Sequence, residues 1–306
     1  MRPDPPSSAP SAKGGQTHVS RAAPGARPSG VAAEDAPRYV RQLFDRIAPR
    51  YDRANHWLSL GVDVYWRWRT AAAVDRLLAA GRGPAVQFRT AGGPGPATDS
   101  RHRAGELRGA TEGAPVIWDL CCGTGDLALA LARRSARRRR GWRVYGADFT
   151  HRMLVLAGAK GRAGLPGAGG VAGWVEADGL RLPVRDGVAT AVTTAFGFRN
   201  LADYRGALAE FARVLRPGGV LAILEFSAPA IPGLRAAYGW YFHRLLPRLG
   251  GWIAGSGEPY RYLPTSVDRF PAPRELATWM REAGFAEVRY RRLSGGIATL
   301  HTARRH

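Results

Sequence analysis

Apolar positions along this chain change period several times, and each change predicts an element. Val40, Leu43, Phe44 and Ile47 recur at helical spacing. After a short turn over Trp57–Leu60, a second helix runs from Val62 to Leu78 with Trp66, Trp68 and Val74. The pattern then alternates between short apolar runs and amphipathic stretches. Strand Val116–Asp119 leads to helix Gly125–Arg134, strand Arg143–Ala147 to helix His151–Lys160, and strand Ala172–Glu176 follows a glycine-rich loop. Strand Val188–Ala195 leads to helix Tyr204–Leu215, which Arg216-Pro217-Gly218-Gly219 terminates, and strand Val220–Phe226 comes next. Helix Pro273–Ala283 precedes strands Phe285–Leu293 and Ile297–Ala303. Only Ser294-Gly295-Gly296 separates those two strands, so they pair as an antiparallel hairpin. Alternating strands and helices predict an α/β fold with a mostly parallel sheet covered on both faces.

Four segments flank or interrupt this pattern. Residues 1–35 are rich in Pro, Ser, Ala and Gly without periodicity and read as a disordered tail. Residues 36–80 form an N-terminal helical cover, 81–114 a flexible insertion without an apolar face, and 115–306 the core. Within the core, 233–264 is an aromatic lid segment rich in arginine.

Composition narrows the setting. The chain has 306 residues, 45% of them hydrophobic, which is ample for one large core. It has no eighteen-residue apolar run and no apolar segment of signal-peptide type. Cys121 and Cys122 are the only cysteines and are adjacent. That argues against a disulfide framework or a cysteine zinc site and suits a reducing cytoplasm. The net charge is +21, nearly all from arginine, since Lys13 and Lys160 are the only lysines. Such a field attracts either nucleic acid or an anionic membrane face.

The chemistry concentrates at Asp119-Leu120-Cys121-Cys122-Gly123-Thr124-Gly125. Strand, glycine turn and helix is the layout of a nucleotide crevice, in which missing Cβ atoms admit a ligand to the backbone. Leu127 and Ala128 stand where a dinucleotide fingerprint needs its third glycine, and no Gly-Lys-Ser/Thr follows. The turn therefore suits a nucleoside without a polyphosphate, and S-adenosylmethionine is the commonest such ligand. Asp148 lies where an acid takes ribose hydroxyls, or else caps the helix near Thr150. Asp178-Gly179 either receives an adenine or forms a tight turn. Three strand-end acids, Asp119, Asp148 and Asp178, converge on one crevice in this topology.

At this point the chain resembles the menaquinone/ubiquinone biosynthesis C-methyltransferase family. The resemblance is carried by the glycine turn, by Gly146-Ala147-Asp148-Phe149-Thr150 with Met153-Leu154, by Phe196-Gly197-Phe198-Arg199-Asn200 and by Arg213 to Gly219. It extends to Phe44-Asp45 with Tyr51-Asp52 and Asn55, Leu58-Ser59-Leu60-Gly61, Tyr260 to Leu263, and Gly295-Gly296 with His301. It implies a class I S-adenosylmethionine-dependent methyltransferase (Rossmann-like) fold, with a mostly parallel seven-stranded sheet, a terminal antiparallel hairpin and the helical cover.

For the cofactor, the resemblance implies contacts at Thr124, Asp148, Asp178 and Gly179, beside Asp119, Gly123 and Gly125 of the turn. Ala195 departs from the family, many members of which carry Ser there. The implied reaction is C-methylation of demethylmenaquinol to menaquinol, with the ubiquinone branch as the nearest alternative. Arg199 and Asn200 are the expected catalytic residues at a ring oxygen, with Tyr51 in the cover and His301 as a further ring-oxygen contact; Tyr260 is a lid candidate. For Arg199 the competing reading is a core ion pair, for which Glu225 is a partner. For His301 it is a satisfied core residue. No metal ligand spacing is visible.

The implied substrate carries a polyprenyl tail, so peripheral contact with the inner face of the cell membrane is expected. Leu234–Ile253 and the run Arg133 to Arg140 are the candidate contacts. A homo-oligomer is compatible with the sequence and not specified by it. No nucleic acid is expected, because Phe196 to Asn200 replaces the Asn/Asp-Pro-Pro-Tyr type motif of base-amino methylation. A cofactor-binding scaffold without activity is the non-enzymatic alternative, and intact Asp148, Asp178 and Arg199 speak against it.

Overall fold

The computed structural model describes residues 25, 26, 28, 30–32, 34–81, 113–164, 170–248 and 258–306. Most of the expected tail, most of the insertion and part of the lid, together with the side chain of Tyr260, lie outside the described residues. The end of the tail is not loose, which corrects its reading as disordered. Ala26 and Pro28 are buried, and the Ala26 N–H donates to the Leu201 carbonyl at 2.7 Å. Gly25 permits this contact, since a Cβ there would stand 1.7 Å from the Ala202 oxygen.

Two helices, α1 (Ala36–Leu58) and α2 (Val62–Ala80), precede the sheet. The core then runs β1 (Val116–Leu120), α3 (Asp126–Arg137), β2 (Arg143–Asp148), α4 (His151–Gly164), β3 (Gly173–Glu176), β4 (Ala189–Ala195), α5 (Tyr204–Val214) and β5 (Leu215–Phe226). It closes with α6 (Pro232–Trp240), α7 (Glu258–Asp268), α8 (Pro273–Glu282), β6 (Phe285–Leu293) and β7 (Ala298–Arg305). The seven strands lie in the order β3-β2-β1-β4-β5-β7-β6. β1 to β5 pair in parallel, and β7 is antiparallel to both β5 and β6. The expected elements are all present, with boundaries shifted by one to five residues, most of all at β5. Helix α5 ends at Val214 and β5 begins at Leu215; Arg216 to Gly219 form a bulge with Gly218 left-handed at φ 71°, where the pairing with β4 shifts between Ala189 and Ala191.

Strand alternation divides the core into two layers. Trp118, Val192, Leu221 and Ile223 face α5 and α8, where Leu208, Phe211, Leu276 and Met280 fill the space. Ile117, Val144, Ala191 and Leu224 face α2 and α3, where Trp66, Val74, Leu127 and Leu131 meet them. Asp203 starts α5 by accepting from the Arg205 and Gly206 N–H groups. Asp75 ties α2 to the end of α3 through Arg134 and Arg140, at 3.0 and 2.7 Å. Part of the arginine run read as a membrane contact is thus structural. The run also lies at the end of α3 away from the glycine turn, so it does not frame the crevice.

His301 is corrected by this alternation. It pairs with Ile223 and Tyr290 in mid-sheet and turns with Ile223 toward α8. Its Nε2 lies 2.9 Å from the Pro273 carbonyl, while its Nδ1 is buried without a partner. Burial pushes its pKa down to about 4, and the Pro273 bond only partly offsets this. The unfolded chain therefore binds a proton between about pH 6.5 and 4 that the folded chain refuses, and this contribution to stability is lost as pH falls through that window. His301→Leu removes the effect. Urea midpoints of variant and wild type should diverge in the variant's favour as pH drops from 7 to 4.5; parallel profiles would contradict this account.

Candidate active site

The strand order reverses between β1 and β4, whose successive connections leave in opposite directions. A crevice opens there at the strands' carboxyl ends, as expected of doubly wound sheets. Its wall includes Asp119, Gly123, Thr124, Asp148, Asp178, Gly179 and Asn200, and Phe44 and Tyr51 cover it from α1. The backbone is left-handed at Cys121 (φ 51°) and Phe196 (φ 60°), two non-glycine residues flanking the switch point. Gly197 lets these turns touch, since a Cβ there would stand 2.3 Å from the Cys121 Cβ. Gly125 begins α3 at φ 82° beneath the Trp174 ring. Gly123 has φ 53° and nothing within 4 Å of where a Cβ would project.

The three strand-end acids differ in their bonding. Asp119 is buried, and one oxygen accepts from the Thr193 hydroxyl at 2.8 Å. The other has no partner of hydrogen-bond geometry. Burial raises the Asp119 pKa to about 7, against opposing influences from Thr193, the Ala128 N–H and Arg67. Asp148 spends its oxygens on the chain, accepting from the Gly123 N–H at 2.8 Å and the Thr150 N–H at 2.9 Å. It braces the glycine turn and starts α4 while lining the crevice. Burial pushes its pKa up, and these two N–H groups oppose the shift. Asp178 accepts from the Leu180 N–H at 2.9 Å, so a tight turn and a crevice position coexist. Both cysteines are free thiols whose pKa burial drives well above the usual range.

The cover is fastened by charge, through Asp52 and Thr124 of the matching motifs and through Lys160 and Arg67, to which the sequence pattern gives no role. Lys160 on α4 reaches Asp52 of α1 at 2.7 Å, Asp126 of α3 at 2.6 Å and the Thr124 hydroxyl at 3.0 Å. The Thr124 hydroxyl in turn donates to Asp52 at 2.5 Å. Arg67 continues the chain of charges, bonded to Asp63 and 3.7 Å from Asp126. Among the described residues, His56, Asp63 and Asp126 are the one group with metal-ligand proximity, and the Arg67 guanidinium already supplies their positive charge. The one available sequence signal was the rarity of lysine.

Arg199 is the expected catalytic residue whose placement differs most. Its guanidinium is buried, paired with Glu225 at 2.9 Å, bonded to the Phe196 carbonyl and to the Ser266 hydroxyl, and set over the Phe226 ring. The crevice wall is instead formed by its neighbours Gly197 and Asn200. Burial disfavours its charge, but Glu225, Tyr51 and Tyr262 more than restore it. Asn200 accepts from the Tyr262 hydroxyl of α7 at 3.0 Å. Tyr51 meets Phe44 edge to face at 5.9 Å, and its phenol is held protonated mainly by burial.

This sheet order, with a glycine turn opening at its reversal, defines a class I, Rossmann-like S-adenosylmethionine-dependent methyltransferase. The chain belongs to the ubiE/COQ5 methyltransferase family, whose model matches residues 32–305. It is 44% identical over 264 residues to a protein of Thermus thermophilus named demethylmenaquinone methyltransferase, spanning 86% of this chain and all of that one. A Deinococcus radiodurans protein of the same name is 39% identical, with 87% and 92% covered. A ubiquinone/menaquinone biosynthesis C-methyltransferase of Syntrophotalea carbinolica is 40% identical, with 86% and 92% covered. Expected as the cofactor from the glycine turn, S-adenosylmethionine is the methyl donor of the family. The crevice fits it on two counts: the space over Gly123 is open, and the unpartnered Asp119 oxygen matches a cationic ligand.

Two outcomes follow from this geometry. Asp119 holds a proton up to about pH 7, so its contribution to stability fades as pH rises from 4 through 7. A cationic ligand favours its ionised form. Binding of S-adenosylmethionine at pH 6 should release up to about one proton, and at pH 8 almost none. Calorimetry in buffers of different ionisation enthalpy reads this; equal release at both values, or unchanged release in Asp119→Asn, would contradict it. Second, Lys160→Met leaves Asp52 and Asp126 without their shared cation. Dissociation of S-adenosylhomocysteine in stopped flow should quicken by roughly tenfold, and an unaltered rate would show that α1 is not held by this contact.

Proposed function

We propose that this methyltransferase of menaquinone/ubiquinone biosynthesis acts on demethylmenaquinol, placing a methyl group on its ring carbon to give menaquinol. The observation that carries the choice of substrate is the match to the whole length of the Thermus thermophilus demethylmenaquinone methyltransferase. The family's other substrate class, a methoxy-polyprenyl-benzoquinol, is the alternative.

When bound, S-adenosylmethionine supplies an electrophilic methyl group on a sulfonium. Asp119, Asp178, Gly179 and the backbone of Gly123 would hold it, with Asp148 and Thr124 fixing the loop around it. The remaining residues serve the quinol. Its ring carbon becomes nucleophilic as a ring hydroxyl loses its proton, and the ring must be held against the crevice. The Asn200 amide, oriented by Tyr262, and the protonated Tyr51 hydroxyl are donors for the developing oxyanion. Arg199 acts as a positioning residue. Locked to Glu225, it holds the Phe196–Asn200 turn in place and contributes fixed positive charge near Tyr51. Phe44 and the α1 cover exclude water from the site.

Both quinols, each with a short isoprenoid tail, should be assayed side by side with labelled methyl donor. The naphthoquinol should be methylated at carbon with the higher kcat/KM, and preferential methylation of the benzoquinol would move the enzyme to the other branch. Asn200→Ala should lower kcat by roughly 10²-fold while leaving cofactor affinity unchanged. An unchanged kcat would remove Asn200 from the reaction.

A further inference from the structure

Among the described residues of the aromatic lid segment, Phe242 and Leu246 are buried, with Tyr238, Tyr241 and Leu58 packed around them, while Trp240 is exposed. A cluster of exposed apolar side chains lies at the turn between α1 and α2. Trp57 is 72% exposed, Leu60 86% and Trp68 53%, and Val64 and Tyr65 between them are exposed too. Trp240, 62% exposed, lies at the end of α6 next to Tyr241, whose hydroxyl bonds the Leu58 carbonyl at 2.7 Å and so ties this end of α6 to the turn. Leu60 is doubly unusual. It adopts the left-handed conformation (φ 52°), where Gly or Asn is favoured, and it projects an apolar side chain into water. Folding gains nothing from either feature.

We infer that this turn, with the adjoining end of α6, docks the enzyme on an anionic lipid bilayer. Tryptophan and leucine amid basic side chains suit the headgroup boundary. The surrounding charge is mostly positive, with Asp268 of α7 facing it 3.6 Å from His243. Residues 229–248 contain Arg235, Arg244 and Arg248 and no acid. The two acids between 50 and 69, Asp52 and Asp63, are paired with Lys160 and Arg67. Position favours the same surface. Trp66 at the start of α2 packs on Phe196 and Phe226 at the crevice ends of their strands. Phe44, Tyr51 and Leu58 follow one another at intervals of seven along α1, leading from the crevice wall to the apolar cluster beneath Trp57. The choice of a bilayer as occupant rests on the quinol reading, since a polyprenyl tail resides there.

The test uses the full chain and vesicles without quinol, made of phosphatidylglycerol and phosphatidylcholine or of phosphatidylcholine alone. Wild type should sediment with the anionic vesicles, less so at high salt. Leu60→Asn and the pair Trp57→Ser/Trp68→Ser should each lower partitioning about tenfold. Leu60→Asn should keep or raise the melting temperature, because Asn accepts the left-handed backbone, and methylation of a tail-less quinol should be unaltered. Variants that bind like wild type, or a wild type that ignores vesicles, would overturn the inference. So would a dimer in sedimentation velocity that Leu60→Asn dissolves without changing vesicle binding. Failure of wild type to methylate the naphthoquinol both without and with its short isoprenoid tail would instead overturn the substrate reading, whatever the vesicles show.

Discussion

The site depends on a backbone constraint at the place where the strand order reverses. There β1 and β4 must turn sharply in opposite directions within touching distance, which leaves Cys121 and Phe196 in the left-handed region with Gly197 between them. Such residues cost about 1–3 kcal/mol each and persist only where the surroundings impose them. Here the surroundings are the buried central strands β1 and β4 on one side and the Gly123–Gly125 turn on the other. The strain opens a crevice lined by backbone, which side chains at those positions would close.

Two kinds of electrostatic contact then give the crevice its form. The Arg199–Glu225 pair is deeply buried and bonded at several atoms, so removal of either partner strands a charge in the core. It fixes one wall permanently. The Asp52–Lys160–Asp126 contact is partly open to solvent and joins three separate helices. Water competes for such a contact, which makes α1 a cover that can be released, whereas the wall behind it cannot. Asp119 belongs to neither group. One of its oxygens is a buried polar atom without a hydrogen-bond partner in the protein, near the Ala128 N–H.

Periodicity made the fold legible because each βα unit buries a continuous apolar strand against an amphipathic helix. The glycine turn and the three strand-end acids were legible because they are local in sequence and converge by topology. The match with the family added the substrate class. What the sequence concealed is non-local. Lys160 meets Asp52 across 108 positions, and no local motif marks that meeting. The sequence leaves Arg199 between a place at the substrate and a core ion pair with Glu225, and the structure has the pair. His301 lies in a matching motif, but the two-residue alternation of β7 turns it away from the crevice. The aromatic run over 234–253 reads as surface by composition, yet the π-turn at Tyr241–Leu245 packs Phe242 and Leu246 inward. Trp240 of that run is exposed, and it is joined by Trp57, Tyr65 and Trp68 around the α1–α2 turn, within a periodic pattern that reads as ordinary helix.

The central claim is that the crevice between β1 and β4 is the seat of the methyl donor, with Asp119 among its contacts. The most direct test is a crystal structure with S-adenosylhomocysteine bound. The account predicts the ligand along Gly123 and Gly179, with the free Asp119 oxygen now hydrogen-bonded to the ligand or to a water that touches it. A ligand seated elsewhere, or an Asp119 oxygen that stays unpartnered beside it, would contradict the account.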